Sequence, residues 1–103
     1  MDKYILDKHG KPVPEPDLIK WSEWFEHNTR QRIVKQEIVG KSKVSTVFLS
    51  LDHGWGLGKP PILWETMVFG GKMNLEQDRC SGTRKDALAM HKRMVKRVKK
   101  GKP

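Results

Sequence analysis

The chain has 103 residues, 36% of them hydrophobic and 32% charged, with a net charge of +9 and a pI near 9.9. That length suits one domain with a modest core. Its apolar runs fall far short of the roughly 20 residues that cross a bilayer, so no membrane partner is expected, and the single cysteine, Cys80, excludes an internal disulfide.

Met1-Asp2-Lys3-Tyr4 is no cationic segment leading into an apolar stretch, so no secretory leader is expected and a reducing cytoplasm suits the lone thiol. Tyr4-Ile5-Leu6 is a short apolar run closed by Asp7-Lys8-His9-Gly10, a turn signal. Pro12, Pro14 and Pro16 hold the next segment extended. Asp17 is placed to cap a helix over 17–28, in which Leu18, Trp21 and Phe25 recur at helical spacing beside Trp24. This reads as an amphipathic helix packed on a sheet, or as a binding surface built on Trp21 and Trp24.

Strand-like segments follow at 32–39, 43–51 and 62–69, the first two joined through Gly40-Lys41-Ser42 as a hairpin. Ser45, Val47, Leu49 and Leu51 share one face of the second strand, and Val44, Thr46, Phe48 and Ser50 the other. Residues 76–80 suggest a short edge strand. Thr83 is placed to cap a final helix over 83–99, with Asp86 as a capping-box acid. Leu88, His91, Val95 and Val98 form its apolar stripe, widened by Ala87 and Met94. The expected fold is α+β: a three- to four-stranded antiparallel sheet with two helices packed on it, one domain over 1–99 and a basic flexible tail at 100–103. The expected core is Trp21, Phe25, Phe48, Leu49, Trp64, Val68, Leu88 and Val95.

Charge is distributed unevenly. Nine of the 21 Lys and Arg fall in residues 84–103 against one acid, Asp86, so the remainder is nearly neutral. Such a segment attracts nucleic-acid phosphates, an acidic protein face or nothing beyond solvent. Lys92, Arg93, Lys96, Arg97, Lys99 and Lys100 are the candidate nucleic-acid-binding residues. No zinc-ligand set or RNA-recognition signature is present, so contact would be to phosphates, of DNA or RNA, with little sequence preference.

The loop Asp52-His53-Gly54-Trp55-Gly56-Leu57-Gly58-Lys59 matches neither a P-loop nor a dinucleotide fingerprint. It reads as a long hairpin connection or as a partner-binding loop, with His53, Trp55 and Lys59 at the contact. Asp52, His53, Glu65 and Asp78 lack metal-ligand spacing and read as turn and surface residues. Glu65 interrupts an apolar run and calls for a cation such as Arg79 or Arg84. Cys80, near a helix start, is a candidate for a lowered thiol pKa, but no base can be assigned to it from the sequence. No catalytic residue, metal or cofactor is expected.

The block Val44-Ser45-Thr46-Val47-Phe48-Leu49-Ser50-Leu51-Asp52-His53, together with Pro60-Pro61-Ile62-Leu63-Trp64-Glu65-Thr66-Met67-Val68-Phe69-Gly70-Gly71, resembles a family of small uncharacterised proteins of tailed bacteriophages and prophages. Tyr4-Ile5-Leu6, Pro12-Val13-Pro14, Leu18-Ile19-Lys20-Trp21 and Ala87-Leu88-Ala89-Met90-His91 extend the resemblance over roughly residues 4–95. It implies a phage origin and expression in the cytoplasm of a bacterial host, and brings no activity or catalytic residues; the basic tail departs from the family pattern. The expected function is that of a small non-catalytic accessory protein, a host-takeover or anti-defence inhibitor that binds a host protein or nucleoprotein complex. Phosphate-backbone binding through the final helix is the alternative, and a metal-dependent nuclease or nucleotide hydrolase on Asp52, His53 and Glu65 the third reading. A protein this basic cannot inhibit by mimicking DNA.

Overall fold

The computed structural model describes residues 2–54 and 58–101. The chain opens with a hairpin of two short strands, β1 (Tyr4–Leu6) and β2 (Pro12–Pro14), with Ile5 opposite Val13. Asp7 builds the turn, its Oδ1 accepting the N–H of His9 at 2.8 Å and of Lys11 at 2.9 Å. Prolines are compatible with β2 because it lies at a sheet edge. Asp17 then caps α1 (Leu18–His27), accepting from the N–H groups of Ile19 and Lys20 at 2.9 and 3.0 Å. A single turn, α2 (Thr29–Arg32), leads into the sheet.

Strands β3 (Ile33–Val39), β4 (Ser42–Phe48), β5 (Trp64–Phe69) and β6 (Gln77–Cys80) form an antiparallel meander in the order β3-β4-β5-β6. Gly70 follows β5 at φ +83, and a Cβ there would stand 2.7 Å from the Lys41 carbonyl oxygen, so the close approach of the two turns requires glycine. The last helix, α3 (Arg84–Lys100), packs on one face of this sheet. The fold is α+β, as the sequence predicts, with an N-terminal hairpin and the short α2 added.

The second strand ends earlier than expected. β4 stops at Phe48 instead of running to residue 51, because buried Ser50 takes φ +67 and turns the chain away. The chain then pairs with the N-terminus: Tyr4 N–H donates to the Ser50 carbonyl at 2.9 Å, and Lys3 bridges Leu51. Likewise β5 begins at Trp64, not 62, and Leu63 joins Trp64 in the core, which breaks the alternation that would put it with Glu65.

The core lies between α3 and the face of β4 and β5 that carries Val44, Thr46, Phe48, Trp64, Thr66 and Val68, all buried. One apolar cluster gathers Leu6, Val34, Phe48, Leu63, Trp64, Ala87 and Met90; a second gathers Val44, Val68, Met73, Met94 and Val95. The Thr46–Thr66 cross-strand pair separates them. Its hydroxyls lie 2.6 Å apart, Thr46 Oγ1 is 2.7 Å from His91 Nδ1, and His91 Nε2 is 2.8 Å from Glu37 Oε1. An ionised carboxylate only accepts, so Nε2–H donates to Glu37. This polar layer ties α3 to three strands without an orphaned buried group.

Four of the eight expected core residues, Phe48, Trp64, Val68 and Val95, are buried. Trp21 and Phe25 are only partly so, since α1 buries no side chain fully, and Leu49, past the end of β4, and Leu88, at the border of the α3 stripe, are half-buried too. Met90, Met94, Leu6 and Met73 complete the core in their place.

Candidate nucleic-acid interface

The cationic surface exists because α3 is firmly specified. Thr83 and Asp86 form a reciprocal capping box: Thr83 N–H donates to Asp86 Oδ2 at 2.8 Å and Asp86 N–H to Thr83 Oγ1 at 3.4 Å. Gly101 ends the helix in the left-handed region at φ +67, its N–H returning to the carbonyls of Arg97 and Val98. Between these ends Ala87, Met90, His91, Met94 and Val95 are buried against the sheet. Most of the apolar stripe is thus used, with Leu88 and Val98 half-buried at its border, and the charged positions lie on the outer side of the helix.

Those positions hold the candidate cations. Lys92, Arg93, Lys96, Lys99 and Lys100 are exposed. Arg97 is half-buried and its guanidinium donates to Glu76 at 3.2 Å on the β6 side. Among the described residues no other cation of α3 is ion-paired with a carboxylate. Part of this charge is local helix chemistry, because Arg97, Lys99 and Lys100 in the last turn complement the negative end of the dipole. Lys92, Arg93 and Lys96 lie too far from that end to be explained so.

Beside α3, toward the edge strand β3, lie two pockets. One of about 440 Å³ is bordered by Lys35, Lys85, Leu88, Ala89 and Lys92. The other, of about 350 Å³, lies between the Gly40-Lys41 turn, Lys72 and Met73, and Val98 and Lys99 at the helix end. The sequence reading missed Lys35, Lys41, Lys72 and Lys85. Lys85 was recoverable, since it shares a seven-residue spacing with Lys92 and Lys99; the others reach the helix only through the fold.

The loop that the sequence offers as a partner contact has its base at the far end of the sheet. Asp52, buried, staples its base: Oδ1 accepts from Gly54 N–H at 2.7 Å and Ile62 N–H at 2.9 Å, and His53 N–H donates to the Ile62 carbonyl at 3.0 Å. His53 is half-buried and Lys59 exposed, while Trp55 lies outside the described residues, as does Lys102 of the tail. This end carries Phe48 and Trp64 beside Ala87, whereas Lys99 borders the opposite end. Loop and helix C-terminus therefore do not form one site.

The remaining reactive groups have structural partners. Glu65 accepts from Arg79 Nε at 2.7 Å on the sheet face away from α3, the ion pair that its place in an apolar run called for. Burial pushes the Cys80 thiol up, with Asp86 and Asp78 adding to the effect, the reverse of the lowered pKa considered from sequence. Glu37, His91 and Thr46 follow the carboxylate–imidazole–hydroxyl order of a hydrolytic triad, but Thr46 and His91 are wholly buried and no substrate can reach that hydroxyl. Among the described residues no three His, Cys, Asp or Glu are grouped to hold a metal ion, and no helix is long and apolar enough to cross a membrane. No family model, no curated protein and no solved structure matches this chain.

Proposed function

We propose that the chain is a non-catalytic binding protein that engages nucleic acid, free or within a nucleoprotein, through its phosphates, with α3 as the contact. The observation that carries this reading is that Ala87, Met90, His91, Met94 and Val95 of α3 are buried against the sheet while Lys92, Arg93, Lys96, Lys99 and Lys100 stand exposed without a carboxylate partner among the described residues. The resemblance to small phage proteins suits a role in taking over a bacterial host or evading its defences, and such roles are commonly served by binding alone. Phosphates are the fitting ligand because lysines on a helix offer point charges in no fixed plane, which neutralise a backbone without reading bases.

The test is fluorescence anisotropy with DNA and RNA oligonucleotides over a salt series. Four to six phosphate contacts should give a slope of log affinity against log salt of about −3 to −5. Changing Lys96, Lys99 and Lys100 to Gln should flatten it. Absence of binding to either polymer at low salt removes the reading.

A second reading rests on the stapled loop. Asp52 fixes the base from which His53 and Lys59 project, and a fixed base lowers the entropy lost when a loop meets a host protein. Its test is whether His53→Ala with Lys59→Ala abolishes capture of a host protein that survives nuclease treatment; unaltered capture by that variant removes it.

A further inference from the structure

We propose that a single strand of nucleic acid lies along the seam between α3 and the edge strand β3, its phosphates on Lys85, Lys92 and Lys99 from the helix and on Lys35 and Lys41 from the sheet side. The inference rests on the nucleic-acid reading above and adds the track and the form of the polymer.

Three observations converge on the seam. Lys85, Lys92 and Lys99 repeat every seven residues, close to two helical turns, so they stand on one side of α3 about 10 Å apart and span about 21 Å. The two pockets show which side that is: Lys85 and Lys92 share one with Lys35, and Lys99 shares the other with Lys41. Lys35 lies near the start of β3 and Lys41 in the turn beyond its end, so the second row runs about as far as the first, at roughly 3.3 Å per strand residue. The opposite flank of α3 has its charge partly answered, with Arg97 on Glu76 and Asp86 in the first turn. On the β3 side Glu37 answers Lys35, and Lys85, Lys92, Lys99 and Lys41 have no carboxylate partner among the described residues.

The floor of the seam chooses between single strand and duplex. Exposed Ala89 and half-buried Leu88 lie in one pocket, and half-buried Val39 and Val98 in the other. A duplex keeps its bases stacked inside a rod and cannot cover these aliphatic surfaces, whereas an unpaired strand can lay bases on them while its phosphates meet the flanking lysines. Among the described residues no aromatic side chain borders either pocket, so binding should be sequence-tolerant and weaker than on a stacking platform. Glu37 is the carboxylate that faces the seam. It is held by His91 and lies 3.8 Å from Lys35, and it lies on β3 between Lys35 and Val39, which border the two pockets. The phosphate contacts accordingly group at the two ends.

The experiment is anisotropy of the full chain with labelled 20-nucleotide single-stranded DNA, single-stranded RNA and the matching duplex, between about 50 and 200 mM salt. Five contacts predict a slope near −3.5 for a single strand, about −0.7 for each phosphate, and affinity for single strands should exceed that for the duplex at least tenfold. The pair Lys85→Gln with Lys92→Gln should weaken single-strand binding about tenfold, and the charge-matched pair Lys20→Gln with Lys43→Gln, exposed on α1 and on the sheet face away from α3, less than threefold. Equal losses from the two pairs would overturn the track, and equal or tighter duplex binding would overturn the single strand, each leaving the broader reading standing. Polyglutamate of equal charge bound as tightly as the oligonucleotide would overturn both in favour of an acidic protein partner. Absence of binding to every polynucleotide would remove the underlying reading.

Discussion

The two long helices are both amphipathic, but they are held to the body in different ways. α3 buries five side chains against the sheet, whereas α1 buries none. What secures α1 is aromatic and polar. The Trp21 indole N–H donates to the carbonyls of Tyr4 and Ser50 at 3.1 Å each. Trp24 meets Phe48 edge-on at 6.0 Å. Phe25 lies between the ring of Trp21 at 5.0 Å and the guanidinium of Arg32 at 3.7 Å. Leu18 and Ile19, at the start of α1, remain 63% and 71% exposed. A helix can thus be amphipathic and ordered while contributing little to the buried core, and local opening should separate it from the sheet before α3 moves.

The largest test of this difference is a pair of truncations. Met94→Ala, at a position 1% exposed, should cost about 2–5 kcal/mol in a urea titration. Leu18→Ser and Ile19→Ser should each change stability by less than about 0.5 kcal/mol. A loss at Leu18 or Ile19 as large as at Met94 would mean that α1 is covered by something the monomer does not supply.

The caps sharpen the comparison at a smaller scale. Asp17 and Thr83 each satisfy backbone N–H groups of their helix, so replacing either with Ala removes about 1 kcal/mol of helix stability. The two should differ in where the loss is read. Thr83→Ala should lower the global midpoint by the full amount. Asp17→Ala should speed hydrogen exchange in α1 with little change in the midpoint, because α1 opens on its own. A full global loss from Asp17→Ala would join the two helices into one cooperative unit.

Acid should act on the β1–β2 turn, where the N–H groups of Lys11 and His9 hold the Asp7 carboxyl below its ordinary range, and on the α3 side. The hydrogen bond from His91 holds the Glu37 carboxyl below its ordinary range, helped by Lys35, His91 and Lys99 as charges and opposed by desolvation. The bonds from Thr83 do the same for Asp86. A carboxyl lowered on folding contributes stability that is present above its unfolded pKa and lost as pH falls through the folded value. Stability should therefore fall below about pH 4.5, the ordinary value for glutamate. Glu37→Gln should show a shallower fall than the parent between about pH 5 and pH 3. Identical profiles would mean that Glu37 carries no linkage, and that its contact with His91 is neutral to stability.

Much of α3 was legible because its signals are local. Thr83 with Asp86 marks the start, the apolar spacing marks the buried side, and the charge run marks the solvent side. The sheet was legible too, since β-branched runs and glycine turns alternate from 33 to 71. What escaped was non-local. The spacing of Leu18, Trp21 and Phe25 says that α1 has an apolar side, but not how much of the body covers it. Lys35 and Lys41 read as ordinary strand and turn lysines, and only the register of β3 beside α3 sets them in line with Lys85, Lys92 and Lys99. The early end of β4 escaped because serine carries no signal for a left-handed conformation.

That serine is where α1 joins the sheet, and it supports one more prediction. Ser50 is fully buried at φ +67, its carbonyl accepts from both Tyr4 N–H and the Trp21 indole, and its own hydroxyl has no protein partner. A left-handed conformation costs a non-glycine residue about 1–3 kcal/mol, and an unsatisfied buried hydroxyl adds to that. Glycine removes both penalties but frees the unfolded chain, which returns about 0.4–1 kcal/mol. Ser50→Gly should therefore leave the protein between unchanged and about 2.5 kcal/mol more stable. Ser50→Ala keeps the backbone strain and should gain less. Since the carbonyl that anchors Trp21 is untouched, exchange protection in α1 should be preserved in both variants. Destabilisation by glycine together with faster exchange in α1 would show that the Ser50 side chain, rather than its backbone, fastens the first helix to the sheet.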